Sequence, residues 1–158
     1  YPLVTGVQTC ALPIWDIKMS EIKIQQLKGV SFAARGQSGH LVMMDGAEKV
    51  GGLNGASRPM EMVLFGLGGC TAIDVEVILK KMRVPVENIE IDIDSERADN
   101  HPKVYTKINM TYHFYGKNLP LKKLEKAVKL SKDSYCSVSA MLASTAEITA
   151  TIEIHNTV

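Results

Sequence analysis

The residues with reactive chemistry to offer are two cysteines, Cys70 and Cys136. Cys70 follows Gly66-Leu67-Gly68-Gly69 inside an apolar segment with helical character. Each glycine costs a helix about 1 kcal/mol relative to alanine. Three of them in four positions leave a notch, which lets another helix approach or opens room beside the Cys70 sulfur. Cys136 stands in Tyr135-Cys136-Ser137-Val138, just ahead of a short helical segment whose first free N–H groups could stabilise a thiolate. The two lie 66 residues apart, with neither CxxC spacing nor a neighbouring histidine pair. Spacing therefore supports neither a thioredoxin motif nor a zinc site. Free cysteine is also a common inert core residue, so spacing alone does not pair the two.

The other polar candidates are weaker. Glu61 precedes Cys70 by nine residues, which on a regular helix places it about 180° away, and it suits the helix N-terminal dipole. His40, His101, His113 and His155 share no ligand spacing and read as structural or solvated. Arg35, Arg58 and Arg97 fall outside the helical segments, where most arginines are surface residues.

These residues must be positioned by a mixed set of elements. Ile22, Ile24, Val30, Phe32 and Ala34 alternate around Gly29, predicting extended chain with one face buried. Gln37-Ser38-Gly39 and Asp45-Gly46 are turns flanking an apolar run from His40 to Met44, so a β-meander opens the domain. A helix starts near Pro59 and is apolar on nearly every side from Met60 to Ala72, which marks it as a central, buried helix; it becomes amphipathic from Asp74 and ends at Val84-Pro85. Ile89, Ile91 and Ile93 alternate with acids, Val104 to Tyr115 alternate again, and these make two antiparallel strands. Pro120 opens a second helix reaching about Ser134, a short helix covers Ser137 to Ala143, and Glu147 to His155 form a last strand. The order β-β-(β)-α-β-β-α-α-β predicts an α+β domain of antiparallel sheets around a long buried helix.

The bulk composition leaves function to local chemistry. Eighteen basic and seventeen acidic residues give a formal charge of +1, so no overall field points to nucleic acid or an anionic membrane. The apolar stretch from Met62 to Ile73 runs into Asp74 and reads as too short to span a bilayer. Residues 1–18 resemble the translation of a sequencing adaptor, with Met19-Ser-Glu-Ile as the natural start. Setting them aside removes Cys10 and leaves a single domain, 19–158, with two cysteines. That count is too low for a secreted disulfide framework and suggests the cytoplasm. No cofactor motif and no metal-ligand spacing is present.

The run Arg58-Pro-Met-Glu-Met-Val-Leu-Phe-Gly-Leu-Gly-Gly-Cys70-Thr-Ala-Ile-Asp-Val resembles the signature helix of the osmotically-induced-protein-C/organic-hydroperoxide-resistance (OsmC/Ohr) family. Pro59 precedes Cys70 by the family's eleven residues, and Tyr135-Cys136-Ser-Val resembles its second cysteine motif. Ser38-Gly39-His40 with Met44-Asp45-Gly46 resembles the YhfA-like branch. The resemblance implies an intertwined homodimer with two central helices back to back. It also implies a peroxidase for small organic hydroperoxides, in which Cys70 attacks the O–O bond, Cys136 resolves the sulfenic acid as a disulfide, and an external dithiol reduces it. The peroxidase branch carries a glutamate directly after the proline; here that position is Met60 and the acid is Glu61, one step later, so the resemblance implies Glu61 as the third catalytic residue beside Cys70 and Cys136. Where that branch has an activating arginine, this chain has Gln37, with Arg35 two residues earlier; Arg35, Arg97 or an arginine of a second subunit are the possible substitutes.

Two functions compete on this reading. A peroxidase with an apolar pocket of residues such as Met62, Phe65 and Leu67 explains both cysteines. A small-molecule-binding or redox-sensing module without peroxidase activity explains the displaced acid and missing arginine. Structural zinc through Cys70, Cys136 and a histidine is a third arrangement.

Overall fold

The computed structural model describes residues 22–157, so the adaptor-like leader, Cys10 and Met19 lie outside the described residues. Chain contacts divide it into two compact units, one ending at Pro59 and the other running from Met60 to Val158.

In the first unit, β1 (Lys23–Lys28), β2 (Ser31–Arg35) and β3 (Leu41–Met44) form an antiparallel meander in the order β1-β2-β3. Pairing sets Ile24, Ala34 and Val42 side by side on one face. That face was expected to be buried, yet Ile24 is 60% exposed and Val42 43%. Among the described residues the unit contains no helix beyond a single 3-10 turn, Glu48–Val50.

The loop after β3 is organised by Asp45. Its buried carboxylate accepts hydrogen bonds from the Ser31 hydroxyl at 2.9 Å and from the N–H groups of Gly46, Leu53 and Gly55 at 2.8, 2.9 and 3.0 Å. The Gly55 N–H, then the Ser31 hydroxyl, hold its pKa below the ordinary carboxylate value. The stability Asp45 contributes is therefore present above the usual carboxylate range and is lost as pH falls through its lowered value. Gly52 lies flat against the same loop, where an added Cβ would overlap the Gly46 carbonyl oxygen.

The second unit is built on α1 (Pro59–Lys81) and a sheet of β4 (Asn88–Arg97), β5 (Tyr105–Tyr115) and β6 (Glu147–His155). Between β5 and β6 lie α2 (Leu121–Leu130), a π turn (Ser131–Tyr135) and α3 (Ser137–Leu142). Strands β4 and β5 pair antiparallel as expected, but β6 joins β5 in parallel, so the sheet is mixed. The intervening helices return the chain to the same end of the sheet before β6 starts, which is what a parallel neighbour requires. One sheet face is apolar, with Ile108, Met110, Tyr112 and Phe114 of β5 buried in the same core as Leu67, Val75 and Leu79 of α1 and Leu124, Ala127 and Val128 of α2. The other carries acids, threonines and two histidines.

Helix α1 is central to this core but is buried along one stripe only. Leu67, Thr71, Val75 and Leu79 recur at helical spacing and are buried, whereas Phe65 is 58% exposed and Ile73 67%. The all-round apolarity read from the sequence thus exceeds what one chain covers. It also corrects the membrane argument: apolar residues resume beyond Asp74, and an 18-residue window of mean hydropathy 1.8 makes α1 long and apolar enough to cross a bilayer by length and composition. A core helix passes the same test, and here the buried stripe packs into protein. Gly68 lets β4 approach, since an added Cβ would come within 3.1 Å of the Ile93 side chain; Gly66 and Gly69 face open space.

Two substitutions measure these assignments by urea denaturation. Leu67→Ala should cost about 2–5 kcal/mol because its site is enclosed on all sides. Gly52→Ala should destabilise the first unit, since the clash is with backbone that cannot swing aside.

Candidate functional site

Cys70 and Cys136 are brought together. Their sulfurs and a carboxylate oxygen of Asp74 all lie within 4.8 Å of one another. Asp74 is one helical turn beyond Cys70 on α1, so this pair is local geometry. Cys136 comes from the far end of the chain and is delivered by the π turn. The Cys136 N–H donates to the Ser131 carbonyl at 2.8 Å, a five-residue closure, before the backbone turns extended at Cys136. Its Sγ then accepts the Ser139 N–H at 3.4 Å, capping α3. Wider π turns of this kind recur where a side chain must be re-aimed.

A buried hydroxyl chain ties the two cysteine elements to the sheet. The Ser131 hydroxyl donates to Asp74 Oδ2 at 3.1 Å. With that proton committed, the Thr71 hydroxyl donates to Ser131 at 2.9 Å, and the Tyr112 hydroxyl donates to Thr71 at 2.8 Å. Thr71, Ser131 and Tyr112 are all essentially inaccessible. The relay runs in one direction, toward the carboxylate beside the two sulfurs. Burial raises the Tyr112 phenol pKa, against a smaller lowering by Thr71, so it remains a donor.

The surroundings of Cys70 favour its thiol form. Its pKa lies above the ordinary 9.0, first because of its hydrogen bond with Cys136 and next because of burial; the Val138 N–H opposes this, while the charges of Cys136 and Asp74 add to it. Arg97, one expected activator, is committed elsewhere: its Nε donates to the Lys103 carbonyl at 2.8 Å and its guanidinium lies 5.7 Å from the Tyr105 ring centre. Arg35 and Arg58 hold loops of the first unit. Arg35 donates to the Gly39 carbonyl at 2.7 Å, and Arg58 to the Gly46 carbonyl and the Asn54 side chain.

Glu61 stands apart from the sulfurs, lining a groove with Leu64, Phe65, Gly68, Gly69 and Ile91. Of the residues expected to line an apolar pocket, Leu67 turns into the core, while Phe65, two positions earlier, is exposed and lines the groove with Glu61. A different cavity, of about 380 Å³, opens beside Asp74 and is lined by Val77, Ile78, Lys81, Met82, Leu130 and Tyr135. No histidine joins the two thiols among the described residues; the third member is Asp74. Asp74 was visible in the sequence as the i+4 neighbour of Cys70, whereas Thr71, Tyr112 and Ser131 gave no signal because ordinary core hydroxyls look the same.

The OsmC family model, described as OsmC-like protein, matches residues 52–151, which include both cysteine motifs. This chain belongs to the OsmC-like family. Protein YhfA of Escherichia coli K12 is 37% identical over 134 residues, covering 85% of this chain and 97% of YhfA. A hypothetical protein from Aquifex aeolicus VF5 superposes with a TM-score of 0.76 at 32% identity, covering 90% of this chain and all of that one. An organic hydroperoxide resistance protein OsmC from Legionella pneumophila shares the fold, with a TM-score of 0.66 at 13% identity over 85% of this chain and 96% of its own. The OsmC-like fold and the likeness to the YhfA branch expected from the motifs are thus established.

The thiol environment predicts a pH profile. Alkylation of Cys70 in the reduced protein, followed by peptide mass spectrometry, should rise about tenfold per pH unit from pH 7 with a midpoint above 9.0. Replacing Cys136 by Ala removes the largest cause and should move the midpoint down. A wild-type midpoint below 9.0 would reveal a cation that the second unit does not itself supply.

Proposed function

We propose that this OsmC-like protein is a soluble, cytoplasmic thiol-dependent peroxidase that reduces small organic hydroperoxides and works as a homodimer. The supporting observation is the meeting of Cys70 and Cys136, 66 residues apart in sequence, with sulfurs within 4.8 Å. The Cys70 thiolate attacks the terminal peroxide oxygen, the O–O bond breaks, and the alkoxide leaves as the alcohol after taking a proton, giving a Cys70 sulfenic acid. The Cys136 thiolate displaces hydroxide from that sulfur, which leaves as water, and the S–S bond forms. An external dithiol then returns two electrons and two protons, becoming a disulfide itself.

Besides Asp74 and Lys81, the cavity is bounded by aliphatic and aromatic side chains, which suit the organic part of such a substrate. The reading also requires a cation beside Cys70, for which Arg35 or an arginine of a second copy are the candidates. A second copy is further supported by the apolar residues Phe65, Ile73 and Val77 left exposed along α1. The raised Cys70 pKa favours the second reading, a redox-sensing or small-molecule-binding module whose thiols oxidise slowly.

Peroxide consumption with cumene hydroperoxide and a dithiol separates the two. The peroxidase reading expects turnover that rises with pH, vanishes in Cys70→Ser and stops after a single turnover in Cys136→Ser. Glu61→Gln should change it little, given the place of Glu61 away from the sulfurs. Consumption no faster than buffer at every pH would eliminate the peroxidase and leave the sensing module. In either case the oxidised chain should gain up to about 4 kcal/mol of stability from the long loop its disulfide closes.

A further inference from the structure

The polar face of the second unit's sheet holds a cluster that the thiol chemistry does not use. Parallel pairing sets His113 of β5 opposite Glu153 of β6 and Tyr115 opposite His155. His113 Nδ1 lies 3.1 Å from His155 Nε2 and 3.3 Å from Glu153 Oε2, and the latter two atoms are 3.9 Å apart. We propose that His113, His155 and Glu153 bind a divalent first-row transition metal such as zinc, at a site separate from the cysteines and independent of the peroxidase reading.

The distances fit that chemistry. Zinc–nitrogen and zinc–oxygen bonds of about 2.0–2.2 Å separate two ligands by about 2.9 Å at a right angle and about 3.3 Å at the tetrahedral angle. Two of the three spacings fall in that interval, and the third closes by a small rotation of Glu153, whose side chain is 58% exposed. The donor set, two imidazoles and one carboxylate, suits zinc, copper or nickel over magnesium or calcium. It leaves a fourth position open to water.

The supporting shell is already in place. His113 Nε2 lies 3.2 Å from Asp92 Oδ2 on β4, so that nitrogen carries the proton donated to the carboxylate and Nδ1 is left with its lone pair toward His155 and Glu153. The Tyr115 ring stacks on His155 at 4.6 Å and is itself anchored through its hydroxyl to Glu90 at 2.9 Å, which limits rotation of the imidazole. Glu90 and Asp92 also add negative charge around the bound cation. Because β6, among the described residues, pairs only with β5 at the edge of the sheet, a metal held by both strands would fasten that edge.

The test uses the untagged full chain carrying Cys10→Ser, Cys70→Ser and Cys136→Ser, so that thiolates contribute no metal binding. Cobalt(II) titration followed by visible absorption, with zinc displacement, should show one equivalent bound without sulfur charge-transfer bands, and zinc should raise the Tm. His113→Ala and His155→Ala should each weaken binding at least tenfold and abolish the Tm rise, with unchanged far-UV circular dichroism. Asp92→Asn, which keeps shape but weakens the hydrogen bond to His113, should weaken it about 10–100-fold. Absence of micromolar cobalt or zinc binding, or binding unaffected by both histidine variants, would overturn the proposal. Should a histidine variant misfold, Glu153→Gln on the exposed edge supplies the same comparison.

Discussion

The Thr71 hydroxyl is the point on which the thiol site depends. It is buried on α1, one residue after Cys70, and is held between Tyr112 of the sheet and Ser131 of the π turn. An unsatisfied hydroxyl at that depth would cost about 1–3 kcal/mol, so the three groups stay together or the core opens. Once they are joined, the rotation of α1 about its axis is fixed and Cys70 is aimed toward the segment that carries Cys136. The π turn adds the remaining adjustment by widening the backbone between Ser131 and Cys136. Two thiols meet because a hydroxyl network, rather than the thiols themselves, sets the register of the elements that bear them.

The same helix carries two kinds of apolar residue. Leu67, Val75 and Leu79 belong to the core of their own unit, while Phe65, Ile73 and Val77 face outward. The first unit repeats this with Ile24 and Val42 on an uncovered sheet face. Apolar area of this extent gains its stabilisation only when something removes it from water. Helix α1 thus carries more apolar residues than the core of its own unit uses.

The sheet of the second unit serves two purposes through strict alternation. Its inner face supplies Ile108, Met110, Tyr112 and Phe114 to the core, and its outer face gathers Asp92, His113, Glu153 and His155. Those outer residues come from three strands spread over more than sixty positions. They share one surface only because β6 runs parallel to β5 in a register that pairs Tyr115 with His155. An antiparallel β6, the simpler expectation from strand order, would have paired His113 and Tyr115 with other residues of β6.

By itself the sequence determined the elements and their order, because apolar periodicity is a local property: the strand from Glu147 to His155, the helix opening at Pro59 and the short helix after Cys136 stand where their patterns put them. It also determined the family, through the Pro59 to Cys70 interval and the motif at Tyr135-Cys136. Only the tertiary structure decided what those elements bring together. Thr71, Tyr112 and Ser131 read as ordinary core residues until the three elements meet. Spacing already put Glu61 on the far side of the helix from Cys70, but the meeting of His113 with His155 could not be settled by spacing, since it depends on which strand lies beside β5 and in which register. Periodicity records that a side chain faces a core or solvent; it holds no record of the residue from a distant element that will face it there.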